Sequence, residues 1–141
     1  MLNKQELKKI VESIREAEGQ TSVEIRVCMA RRCKGDPCEA AGRKFVDLKM
    51  HETALRNSIL IYVAPDDRKT AIVGDSGINA IAGDGFWDSV IHEMLFHFTR
   101  KEICAGICRG VAMAGDLVKS HYPVSGDNIN ELSDEVIIDE E

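Results

Sequence analysis

The chain is 141 residues long, 44% hydrophobic and 30% charged, with three prolines and a formal net charge of −6. That length and balance suit one compact domain with a real core and exclude a disordered chain. No apolar run approaches the ~20 residues of a membrane helix, so membrane insertion is excluded too.

The charge is lopsided. From Ser125 onward come seven acids and no base, so setting them aside from the total of −6 leaves residues 1–124 at +1. A nearly neutral body without a basic stripe argues against nucleic acid as a partner. Arg31-Arg32-Cys33-Lys34 is the one basic spot and reads as a solvated loop. The N-terminus turns polar at Asn3-Lys4-Gln5-Glu6 without the apolar core of a signal peptide, which predicts a cytoplasmic location. Five cysteines, an odd count, are then expected to be reduced thiols.

Asn3 followed three residues later by Glu6 is a capping box, and Leu7, Ile10, Val11 and Ile14 form one helical stripe that Gly19 ends. Val23, Ile25, Val27 and Met29 alternate with more polar residues as a strand does. Asp36-Pro37-Cys38-Glu39 opens a second helix, over 37–49, with Ala41, Phe45 and Leu48 on its buried face. Ile59 to Ala64 is a continuous apolar run, short enough for a central strand. Pro65-Asp66-Asp67-Arg68 turns the chain, and Thr70 to Val73 returns it as a hairpin partner.

A weak helical signal follows over Gly77 to Ala82. A helix from Asp84 carries Phe86, Trp87, Val90, Ile91, Met94, Leu95 and Phe98, and a last helix carries Ile103, Ile107, Val111, Ala114 and Leu117. Helices alternating with strands predict an α/β fold, a three-layer α/β/α sandwich with a small mixed central sheet. The domain is expected to span 1–124, with 125–141 an acidic, disordered tail. Val136-Ile137-Ile138 could add a strand to a protein partner's sheet.

Several catalytic patterns fail on spacing. His92 and His97 are five apart rather than the four of a zinc protease helix, which argues against zinc, while Glu93 and His97 share a face as a surface pair. Cys38 to Arg43 and Cys104 to Arg109 bracket four residues rather than five, and both lie within predicted helices, which rules out a cysteine phosphatase loop. No glycine-rich nucleotide loop or Gly-x-Ser-x-Gly elbow occurs.

What survives is Gly74-Asp75-Ser76-Gly77, where the hairpin strand ends and a helix opens. Asp75 can cap that helix, and the glycines let the backbone approach a ligand. Asp84 starts the next helix, with Asp88 one turn further in. If the first two strands are parallel, the end of the third lies at the sheet edge where they begin. That edge carries Ser22 and Glu24 on one strand and Arg56 and Asn57 before the other. Carboxylates at Glu24, Asp75, Asp84 and Asp88 suit a hard cation, Ca²⁺ or Mg²⁺, and Arg56 suits a phosphate. The opposite edge offers Asp36, Asp66 and Asp67, a weaker site explained by capping and turn chemistry.

Thr21-Ser22-Val23-Glu24-Ile25, Arg56-Asn57-Ser58-Ile59-Leu60-Ile61-Tyr62-Val63-Ala64, Ile72-Val73-Gly74-Asp75-Ser76-Gly77-Ile78 and Phe86-Trp87 together resemble the TPM domain over roughly residues 5–122. The resemblance implies an α/β/α sandwich, divalent-cation binding in some members and a proposed acid phosphatase activity in a plant member. Three functions are therefore expected in order. The first is a soluble domain of regulatory or accessory character that binds a divalent cation. The second is a metal-assisted acid phosphatase on phosphomonoesters, and the third a protein-interaction module acting through the acidic tail.

Overall fold

The computed structural model describes residues 2–53, 56–124 and 132–139. Helix α1, Lys4–Glu18, opens on the expected capping box, with the Glu6 amide donating to Asn3 Oδ1 at 2.8 Å and the Asn3 amide to Glu6 Oε1 at 3.1 Å. It leads into β1, Glu24–Ala30, and then α2, Pro37–Asp47, capped by Asp36. Helix α2 ends short of 49 because Lys49 turns left-handed (φ 57°) and one 3₁₀ turn, Met50–Glu52, follows.

Strand β2, Ser58–Ala64, pairs parallel with β1, and a 3₁₀ turn at Pro65–Asp67 reverses the chain into antiparallel β3, Lys69–Gly74. The weak helix signal after Gly74 condenses into a single turn, α3, Ser76–Asn79. Helix α4 runs Asp88–Thr99 rather than from Asp84, and α5 is Ile103–Val118.

The sheet has order β3-β2-β1-β4, the last strand being Ile137–Asp139, parallel to β1 at Cys28–Ala30. Alternation along each strand divides the core. Ile25, Val27, Met29, Ile59, Ile61, Val63 and Ile72 pack toward α1, α4 and α5, whereas Cys28, Ala30, Leu60, Tyr62 and Ala71 pack toward α2. Three layers result, as the helix–strand alternation predicts.

Residues 132–139 depart from the expected disordered tail. Val136 packs on the first core and Leu132 and Ile137 on the second, while Lys44 meets Asp139 at 3.2 Å and Arg15 meets Asp134 at 3.5 Å. The apolar residues among the acids reach an open strand edge and the acids find cations, so this segment gains more by docking than by remaining solvated. The rest of the tail, 125–131 with 140 and 141, lies outside the described residues. Among the described residues no helix is long and apolar enough to cross a membrane.

Candidate functional site at the sheet end

The register brings the predicted edge together. Glu24 of β1 pairs with Ser58 of β2, and the Asp75 amide donates to the Ser58 carbonyl at 2.9 Å, so Glu24, Ser58 and Asp75 stand in a row across three strands. Asn57 Nδ2 ties the β2 end to the Ser22 carbonyl at 2.6 Å, and Ser58 Oγ donates to the Met50 carbonyl at 2.7 Å. Gly74 is required here by space: a Cβ would lie 2.7 Å from Ile78 Cβ, so any side chain would push α3 off the strand end.

Asp75 is buried, at 5% exposure, and both its oxygens are engaged. Oδ1 accepts the Ser76 amide at 2.7 Å, capping α3, and Oδ2 accepts Arg56 Nε at 3.1 Å. Arg56 is left-handed (φ 52°), a backbone state that costs a non-glycine residue about 1 kcal/mol or more. Its carbonyl accepts the Gly77 amide at 2.9 Å, which fixes that turn against α3. Its side chain is 52% exposed, so the guanidinium closes over the buried carboxylate while keeping a face to solvent.

The other predicted ligands do not join this pair. Glu24 is buried, but its Oε1 accepts the Leu132 amide at 2.7 Å and serves the docked C-terminal segment. Asp84 is exposed in the turn between α3 and α4. Asp88 is exposed in the first turn of α4 and folds back over Gly85, whose added Cβ would meet Asp88 Oδ2 at 3.1 Å. Among the described residues no three His, Cys, Asp or Glu side chains come close enough to hold a metal ion. The all-oxygen donor set has the chemistry of a hard-cation site, yet a closed cage does not fit. One preformed carboxylate, balanced by an arginine, is what the fold supplies.

At the opposite edge Asp36 caps α2 through the Cys38 amide at 2.9 Å, as capping chemistry predicts. Asp67 accepts the Cys33 amide at 2.6 Å and Arg32 Nε at 3.2 Å, and these bonds, the amide first, hold its carboxyl below the usual range. The surface pair of Glu93 and His97 is present at 3.6 Å, with Glu102 on the other ring nitrogen at 3.0 Å.

Two features have no signal in the sequence. Glu18, in the last turn of α1, accepts the Ile25 amide at 2.8 Å and contacts the Asp134 carboxyl. Burial, then a hydrogen bond shared with the Asp134 carboxyl, then repulsion from Asp134 and Glu24 push it up to about 9, against the Ile25 amide, which favours the carboxylate. The second feature is spatial. Two clefts, of about 750 and 590 Å³, open toward the carboxyl ends of β1 and β2, away from Asp75.

Fold and site together define a small three-layer α/β/α domain with a mixed sheet and a buried acidic cap at one sheet end. The chain belongs to the TPM domain family, whose pattern matches residues 1–117. Its structure is similar to that of the BA42 protein of the psychrophilic bacterium Bizionia argentinensis, at 36% identity and TM-score 0.89, over 98% of this chain and 95% of that one. It shares its fold with the N-terminal domain of a protein from P. gingivalis (16% identity, TM-score 0.70, 88% of this chain, 82% of that one). The same holds for the N-terminal domain of a Corynebacterium glutamicum protein (12%, 0.65, 97% and 80%). No curated protein matches the chain.

Proposed function

We propose that the chain is a TPM-family domain of regulatory or accessory character whose ligand at the Arg56–Asp75 end is a divalent cation, Mg²⁺ or Ca²⁺. The observation that carries this reading is the pairing itself: a buried carboxylate whose partner guanidinium is half exposed and free to leave. Mg²⁺ commonly keeps several waters and takes one or two carboxylates, which suits a single anchored aspartate. Asp84 and Asp88, exposed on the segment after α3, are the carboxylates available to join Asp75, and Glu24 is committed to Leu132.

Cation and guanidinium compete for the same carboxylate. Two positive charges plus one, about 5 Å apart in water, repel by roughly 1.5 kcal/mol, on the order of tenfold in affinity. A ¹⁵N NMR titration with Mg²⁺ and then Ca²⁺ tests this directly. Saturable shifts at residues 56–58 and 74–78, lost in Asp75→Asn and reached at about tenfold lower cation in Arg56→Gln, are expected. Shifts confined to residues 132–139, or weaker binding in Arg56→Gln, would refute it.

A second reading, metal-assisted hydrolysis of phosphomonoesters, is favoured by the same half-exposed arginine. Released from Asp75, it would grip phosphate beside a cation that polarises the ester and its attacking water. Phosphomonoester turnover that survives repurification and disappears in Asp75→Asn is the result this reading requires.

A further inference from the structure

We propose that one proton, shared by the Glu18 and Asp134 carboxyls, clasps residues 132–135 over the start of β1, and that its loss in alkaline solution lifts them away and uncovers Glu24. The clasp stands on geometry. Glu18, in the last turn of α1, accepts the Ile25 amide on Oε2 at 2.8 Å, which holds its carboxyl against β1. One residue before Ile25, Glu24 accepts the Leu132 amide on Oε1 at 2.7 Å, which brings the segment to the same place.

Asp134 follows two residues later, with 12% of its side chain exposed, and its carboxyl shares a hydrogen bond with that of Glu18. An ionised carboxylate only accepts, so two carboxyls in hydrogen-bond contact need a proton between them, and that proton belongs to the pair. The surrounding charges do not replace it. From α1, Arg15 approaches Asp134 at 3.5 Å, but 68% of its side chain lies in solvent, where screening weakens the pair. From β1 come Glu24, which repels Glu18, and Arg26, whose buried Nε makes no hydrogen bond. The segment itself brings Glu135.

Removing the proton therefore leaves carboxylates at Glu18, Glu24 and Asp134 crowded at one strand end, with the one on Asp134 free to leave with its segment. The position of Glu18, pushed up to about 9 by burial and then by Asp134, agrees with this arrangement. Sign and direction follow: docking of 132–135 is favoured at low pH and weakens as pH rises toward that value. Beyond Asp134 the segment is held by other means. Val136 packs on the first core, Asp139 meets Lys44 at 3.2 Å, and the Asp139 carbonyl accepts the Arg31 amide at 3.0 Å. Lys44 is raised above its usual range beside Asp139, so it stays charged while Glu18 titrates, and β4 keeps its place as a tether.

The test is ¹³C-detected NMR of the full chain, free of metal ions, titrated from pH 6 to 9.5. The carbonyl carbons of residues 132–135 and the carboxyl carbon of Glu18 should move together, with one midpoint above pH 7. The docking constant should fall by up to tenfold per pH unit, while the carbonyls of Ile137–Asp139 hold their positions. In Glu18→Gln, whose NH₂ donates to Asp134 without titrating, residues 132–135 should keep their pH 6 positions throughout. In Asp134→Ala they should show their alkaline positions already at pH 6. Carbonyls at 132–135 that do not titrate, that move no more than those of Ile137–Asp139, or that titrate unchanged in Glu18→Gln would overturn the inference. No metal takes part, so the cation reading and this one fail independently.

Discussion

Replacing Glu18 by glutamine should raise stability at neutral pH and flatten its dependence on pH. Glu18 is raised from 4.5 to about 9 in the folded chain, by burial first and then by the Asp134 carboxyl. Between those values the folded state holds a proton that the unfolded chain releases, so stability is fully present below pH 4.5 and is lost as pH climbs toward 9. Each pH unit corresponds to about 1.4 kcal/mol, so the full loss by pH 7 is about 3 kcal/mol. Because the carboxyl is only partly withdrawn from water, solvent screening reduces this to about 1.5 kcal/mol.

Glutamine keeps the geometry that matters, its carbonyl accepting from the Ile25 amide and its NH₂ donating to Asp134, but never titrates. Thermal unfolding of both proteins from pH 4 to 9 is the assay. At roughly 3–4 °C per kcal/mol for a chain this size, Glu18→Gln should melt about 5 °C higher at pH 7, and the gap should close near pH 4. Parallel profiles for the two proteins would refute the reading that burial and Asp134 keep Glu18 protonated in the folded chain.

Other consequences are nearer the surface of the argument. Gly106→Ala should cost about 1–3 kcal/mol in denaturant unfolding, since its Cβ would meet His97 Cβ and Phe98 Cε1 at 2.9 Å, where a ring and a helix must both shift. Gly110→Ala should cost less, because the obstruction is the flexible end of Met94. Asp67→Asn should remove part of the acid sensitivity: a carboxyl held below its usual range stabilises above pH 3.8 and stops doing so as pH falls through its folded value, which unfolding followed from pH 5 to 2 would show. Among the thiols, exposed Cys38 should alkylate in the folded protein while buried Cys28, pushed up to about 11, reacts only on unfolding, as mass spectrometry of timed iodoacetamide reactions would reveal.

The layers were legible because each element states its own period and its own caps. Asn3 and Glu6, Asp36 and Pro37, and the uninterrupted Ile59–Ala64 run act locally, within one turn or one strand. Parallel β1 and β2 follow from a helix between them, and so does the placing of Asp75 beside their beginnings. Which side chains then meet is a longer-range matter. Glu24 was readable as a candidate ligand from its strand position, but the amide that claims it belongs to Leu132, over a hundred residues away. Asp84 reads as a cap, yet α4 begins at Asp88, and the turn at Gly85 (φ 78°) leaves Asp84 outside.

The acid count after Ser125 pointed toward solvation because charge is read per residue, whereas docking is decided by pairing. Asp134 meets Arg15 and Glu18, and Asp139 meets Lys44. Once those partners exist, Val136 and Ile137 can bury their side chains at β1 without leaving the neighbouring acids unbalanced. The same segment then organises both ends of the strand it covers. It takes Glu24 out of the running at the Asp75 end, through Leu132, and anchors the backbone of Arg31 at the cleft end, through Asp139. A cation at Asp75 would therefore sit at the sheet end where β1 begins, beside a strand whose open edge is closed by the C-terminal residues. Loosening that segment should free the Glu24 carboxylate at that end and release the backbone anchor of Arg31 at the other.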